Sequence, residues 1–121
     1  MKILVCEDDT MTLKAIEHKL KQDSYEIITA QDGKAAKEKL ANEKFDLILT
    51  DLHMPYISGL ELISYIRNDL KINAPIIMLT RVGIEETVLQ AFELGADDYI
   101  TKPFSPAELT LRVKKMLLKN K

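Results

Sequence analysis

The residues with chemistry to offer are few and mostly acidic: Glu7, Asp8 and Asp9 in "VCEDD", Asp51 closing "FDLILTD", Thr80 closing "APIIMLT", and Lys102 in "DDYITKPF". Adjacent carboxylates repel, and in a partly buried site one of them loses its charge unless a cation sits between them. The triplet is therefore either a solvated turn or half of a cation site. Hard divalent cations prefer carboxylate and main-chain oxygens, and Mg²⁺ takes one or two carboxylates while keeping several waters. Mg²⁺ would neutralise a cluster of Glu7, Asp8 and Asp51. One Asp51 oxygen would hold the metal while the other attacks phosphorus to give an acyl phosphate, a role that carboxylates fill as covalent nucleophiles. A phosphoryl group in transfer carries charge on its equatorial oxygens, so it needs cations and donors more than acid/base machinery. Lys102 supplies a point charge and Thr80 a hydroxyl.

What must position these groups is an alternation of strand and helix. Apolar runs of strand length, at 2–6, 26–30, 45–51, 74–80 and 97–101, alternate with stretches of helical period. The first helical stretch carries Leu13, Ile16 and Leu20 on one face, with Asp9 or Thr10 as its cap. The second carries Ala36 and Leu40, the third Leu62, Ile63, Ile66 and Leu70, and the fourth Val88, Ala91 and Phe92. In the last, Pro106 suits a first turn and Leu109, Val113, Met116 and Leu117 share a face. The third and fourth strands are apolar nearly throughout, as strands covered on both faces are. The expected fold is α/β, a doubly wound sandwich around a parallel sheet. Ligands of such sheets bind at the carboxyl ends of the strands, where Glu7, Asp8, Asp51, Thr80 and Lys102 all fall. Asp9 reads as belonging to the helix start, where the macrodipole favours acids. His53, two residues past Asp51, reaches the same crevice, and its carbonyl suits a hard cation better than its ring does. His18, between Glu17 and Lys19 in mid-helix, reads as solvated.

Composition narrows the classes. The chain has 121 residues, 46% of them hydrophobic, enough for one core and one domain. Its net charge of −2, without a basic stripe interleaved with aromatics, gives no sign of direct nucleic-acid binding. The lone Cys6 cannot form an internal disulfide and fits a reducing compartment as core filler. No segment approaches the roughly 20 apolar residues of a membrane span, and the first apolar run is too short for a signal peptide, so the expected location is cytoplasmic. The terminal "KNK" reads as a frayed end or the start of a tether.

Taken together, "ILVCEDD", "DLILTDLHMPYISG", "IIMLT" and "GADDYITKPF", in this order and spacing, resemble the receiver domain of bacterial two-component response regulators. The resemblance implies a flavodoxin-like sheet of five strands in the order 2-1-3-4-5 with five helices, a single receiver domain over residues 1–121. It implies that Asp51 accepts a phosphoryl group from the phosphohistidine of a partner histidine kinase. Asp8, Asp51 and the carbonyl of His53 would bind Mg²⁺, with Glu7 joining through water. Lys102 would pair with the phosphoryl group, Thr80 would swing to bond it, and Tyr99 would turn inward on activation. The Lys102 to Pro103 bond would be cis. No enzymatic activity is implied beyond accepting the phosphoryl group and slowly releasing it.

Two departures stand out. Arg81 follows Thr80 where the family usually has a small residue, placing a long cation over the phosphoryl site. The tail "KPFSPAELTLRV" resembles the winged-helix transcription-factor branch, which dimerises through the fourth helix, fifth strand and fifth helix, and Asp98, Glu108 and Arg112 match charged positions used there. Yet "IEETVLQAFEL" contains no Lys or Arg, and Met116 stands where a basic residue is often found, so the usual salt-bridged homodimer is only partly supported. Other readings have less behind them. A small Mg²⁺-dependent aspartyl-phosphate phosphatase would want a second Asp at position 53, which is His. A degenerate receiver used only for docking would not need a complete acidic pocket. A nucleotide-binding flavodoxin-like protein would want a glycine-rich loop after the first strand.

Overall fold

A computed structural model describes residues 1–81 and 85–119 of the chain. Five parallel strands, β1 (Lys2–Cys6), β2 (Glu26–Ala30), β3 (Leu47–Asp51), β4 (Ile76–Arg81) and β5 (Asp98–Lys102), form one sheet in the order β2-β1-β3-β4-β5. The connections are α1 (Thr10–Gln22), α2 (Gly33–Asn42), α3 (Gly59–Ser64) with a π-helical continuation over Tyr65–Asp69, and α4 (Glu85–Leu94); α5 (Pro106–Lys119) follows β5. This is the expected doubly wound arrangement.

Side chains of a strand alternate between its two faces, and the core divides accordingly. Ile3, Val5, Leu47, Leu49, Ile77 and Leu79 pack with Leu13, Ile16 and Leu20 of α1 and with Leu109, Val113 and Met116 of α5. Leu4, Cys6, Ile48, Ile76 and Met78 pack with Ala36 and Leu40 of α2, Leu62 and Ile63 of α3, and Ala91 of α4. Each fully buried Leu or Ile contributes roughly 1.5–3 kcal/mol, so both layers are needed to hold the central strands. The edge strands β2 and β5 keep exposed positions, Glu26 and Tyr99 among them. Cys6 is buried, and burial pushes its thiol up to about 12 against a weaker pull from Thr50.

Four elements differ from the sequence reading. Phe45 and Asp46 precede β3; Asp46 is instead tied to the start of β1, its amide donating to the Lys2 carbonyl at 2.7 Å and its carboxylate accepting from the Lys2 amide at 2.7 Å. At the other edge Arg81 and Lys102 extend β4 and β5 by one residue, because they pair with each other. The third helix does not stay α-helical. Beyond Ser64 the amide of Leu70 bonds to the Tyr65 carbonyl at 2.9 Å, five residues back. In this wider turn, Arg67 donates to the carbonyls of Gly95 (3.0 Å), Ile72 (2.6 Å) and Ala74 (2.9 Å) and to the Asp97 carboxylate (2.9 Å). One guanidinium thereby joins the end of this helix to the segments before β4 and β5.

Candidate functional site

The end of β1 turns sharply, and its three acids part company. Glu7 is fully buried; its amide donates to the Ala30 carbonyl at 3.0 Å, and its carboxylate accepts the Asp9 amide at 3.2 Å and a hydrogen bond from the Lys102 ammonium. Asp8 is exposed. Asp9 caps α1, accepting the Thr12 amide at 3.0 Å and the Thr12 hydroxyl, and these bonds hold its carboxyl below the usual carboxylate range. An N-cap of this kind is worth about 1 kcal/mol.

Asp51, the last residue of β3, is buried. Its Oδ1 accepts the His53 amide at 3.2 Å and its Oδ2 accepts Lys102 Nζ at 2.8 Å. One ligand oxygen from each of Glu7, Asp8 and Asp51 lies within 4.8 Å of the others. Two carboxylates at that separation repel by on the order of 3 kcal/mol at an effective dielectric constant of about 20. Lys102 is the cation that holds them: burial pulls its pKa down, but the hydrogen bonds it donates to Asp51 and Glu7 outweigh this and leave it raised. It does not compensate all the negative charge. Burial pushes Glu7 up to about 7, against the Lys102 and Asp9 hydrogen bonds, with Asp51 adding to the rise. An all-oxygen set of acids with one buried carboxylate short of charge compensation fits a hard divalent cation.

These groups line a cleft of about 720 Å³ with Thr12, Arg81, Pro103 and Phe104, and His53 lies on its wall. The Lys102–Pro103 bond is cis. Thr80 is not on the wall: it is buried, and its hydroxyl reaches the Arg81 carbonyl at 3.4 Å. Tyr99 points outward, 41% exposed, its ring edge-on to Phe92 with centroids 6.0 Å apart. Asp98 is buried and receives the Tyr99 amide at 2.8 Å, while Arg112 Nη1 sits 3.3 Å from each of its oxygens. Glu108 and Arg112 line a separate groove with Leu111 and Lys115.

A residue quoted in the loop motif but given no task by sequence reasoning supports the acceptor directly. Gly59 donates its amide to the Leu52 carbonyl at 2.9 Å, and a Cβ there would lie 2.6 Å from Leu52 Cα and against the Asp51 carbonyl. Only glycine lets α3 start so close to the backbone that carries Asp51. The signal was present as a glycine directly after Ser58, the N-cap of α3, but an approach between two backbones leaves no periodicity in sequence.

Residues 3–114 match the profile of the response regulator receiver domain. The chain is 42% identical over 116 residues to the alkaline phosphatase synthesis transcriptional regulatory protein PhoP of Bacillus subtilis, covering 96% of this chain and 48% of that protein. It is 45% identical over 116 residues to the transcriptional regulatory protein ResD of the same organism, with the same coverage. The chain thus spans about half the length of the curated relatives it matches. Among solved structures, a Francisella response regulator 1452 receiver domain superposes with a TM-score of 0.91 at 34% identity, covering 99% of this chain and 98% of that one.

Proposed function

The chain belongs to the receiver domains of two-component response regulators, and from that premise we propose that it is a phosphorylation-controlled switch whose acceptor is Asp51. Its role is signalling rather than catalytic turnover. The observation that carries the reading is the bridge from Lys102, at the end of β5, to Asp51 at the end of β3 and Glu7 just past β1. Asp8, Asp51 and the His53 carbonyl would hold Mg²⁺, with Glu7 joining through water, and the ion supplies positive charge between an anionic acceptor and an anionic phosphoryl group.

An Asp51 carboxylate oxygen attacks the phosphorus of a phosphohistidine on a partner kinase. The new P–O bond forms as the P–N bond breaks, and the imidazole leaves with the electron pair. Lys102 now holds Oδ2 at 2.8 Å; when it follows the charge to the phosphoryl oxygens it releases that carboxylate oxygen. Thr80 is buried, its hydroxyl keeping one long contact of 3.4 Å to the Arg81 carbonyl, and a phosphoryl oxygen would offer that hydroxyl a better acceptor. The space Thr80 leaves admits Tyr99, which now rests outward against Phe92. The phosphoryl charge thereby biases a two-state surface comprising β5, α4 and α5. Slow hydrolysis of the acyl phosphate resets it.

This surface is the proposed output, in the manner of a transcriptional regulator's receiver, and the site of homodimerisation through α4, β5 and α5. Asp98 and Arg112 pair within the chain, so a dimer that uses them must exchange that partner. Residues 1–121 act as one receiver domain, and the buried free thiol of Cys6 suits the cytoplasm. The test is an amide NMR comparison of wild type and Asp51→Asn with Mg²⁺ and beryllofluoride. Shifts around Thr80 and Tyr99 that depend on Asp51 are expected; their absence refutes the switch. Concentration-dependent sedimentation with the same mimic tests the dimer, and a monomer under both conditions ends that part.

A further inference from the structure

We infer that Arg81 is a second phosphoryl-binding cation, which contacts the peripheral oxygens of the phosphorylated acceptor and lengthens the life of the acyl phosphate. The inference rests on Asp51 being the acceptor. Arg81 ends β4 directly opposite Lys102 of β5, and both line the cleft that holds Glu7, Asp8, Asp9 and Asp51. Its side chain is exposed at the rim, and among the described residues no carboxylate forms an ion pair with it. Lys102, by contrast, is already shared between Glu7 and Asp51.

The charges argue for a second cation. Four acids line the cleft, and two cations, Lys102 and Arg81, face them. Phosphorylation replaces the Asp51 carboxylate with a group carrying about −1.5 to −2. Mg²⁺, the Lys102 ammonium and the Thr80 hydroxyl would each meet the phosphoryl group at one point, whereas a planar guanidinium at the open rim offers a fork of donors matched to phosphate. Hydrolysis proceeds when water attacks phosphorus, the P–O bond to Asp51 breaks, the electron pair returns to the Asp51 carboxylate, and a water proton passes to solvent. A guanidinium bonded to the peripheral oxygens at the open rim stabilises the acyl phosphate in the ground state and stands where water must approach phosphorus.

The test uses the full chain with Mg²⁺, loaded by phosphoramidate, desalted, and followed by intact mass. Arg81→Ala and Arg81→Met are expected to shorten the acyl-phosphate half-life by about three- to tenfold, the range for a charge-assisted contact discounted for exposure. Arg81→Lys should recover part of the loss. Beryllofluoride affinity, a readout without turnover, should weaken in the same order. An unchanged half-life in Arg81→Ala overturns the inference, and so does a wild-type half-life in Arg81→Met, which would reduce the role to bulk. Absence of any phosphoryl adduct on wild type, under conditions that load another receiver, overturns the Asp51 reading and this one together.

Discussion

Replacing Gly59 with alanine tests whether the acceptor is held by backbone packing as well as by its own side chain. The added Cβ would meet the Asp51 carbonyl and, at 2.6 Å, Leu52 Cα, both main-chain atoms that cannot rotate away. Overpacking of this kind costs about 1–3 kcal/mol. Displacing the start of α3 also weakens the 2.9 Å bond from the Gly59 amide to the Leu52 carbonyl, worth about 1 kcal/mol. Against this stands the better helix propensity of alanine, at most about 1 kcal/mol and less at a first helical position. The net expectation is a loss of about 1–3 kcal/mol. With a urea m-value of about 2 kcal/mol/M, a loss in the middle of that range lowers the unfolding midpoint by about 1 M. The shift should be accompanied by a functional one, since the displaced backbone carries Asp51. Mg²⁺ at ten times its Kd for the wild type adds about 1.4 kcal/mol of stability, and the variant should gain less at the same concentration. Urea melts with and without Mg²⁺ read both effects. An unchanged midpoint, or a lowered midpoint with the full metal-dependent gain, refutes the claim that α3 positions the acceptor.

The acids of "VCEDD" should prove unequal. Asp8→Ala is expected to abolish Mg²⁺ binding and Glu7→Ala to weaken it, whereas Asp9→Ala should leave it nearly intact and cost about 1 kcal/mol of stability as a lost cap; calorimetric titration and thermal melts separate the two effects. Metal-free stability should fall as pH rises from about 4.5 to about 7, because burial raises Glu7 to about 7 in the folded state and its neutral form favours folding below that range. The lowered carboxyls of Asp9 and Glu43 act at more acidic pH and in the opposite direction. Urea melts across that pH range should show a flatter profile for Glu7→Gln; an equally steep one assigns the dependence to another group.

Much of this protein is local in origin. Hydrophobic period marks which face of each element is buried and where each strand leaves the core, so the sheet, its flanking helices and the residues at the strand ends are legible in the sequence alone. Glu7, Asp8, Asp51 and Lys102 stand at those ends in the sequence as they do in the fold. Asp9 shows the same legibility, a short acid before a helical run that becomes its cap.

Only the tertiary structure decided what these groups do to one another. Lys102 meets Glu7 across 95 residues of chain and Asp51 across 51, and no local pattern encodes such a pairing. Full burial of Glu7, and with it a carboxyl pushed up to about 7, depends on what the fold packs around the end of β1, the Lys102 side chain reaching over from β5 included. Thr80 and Tyr99 occupy strand positions that periodicity identifies, but whether each faces the cleft, the core or the solvent follows from interstrand packing. The π-helical turn of Arg67 and the backbone approach at Gly59 are set by neighbours distant in sequence. Periodicity records which side of an element avoids water; distances and charges across the cleft exist only once the strands are laid side by side.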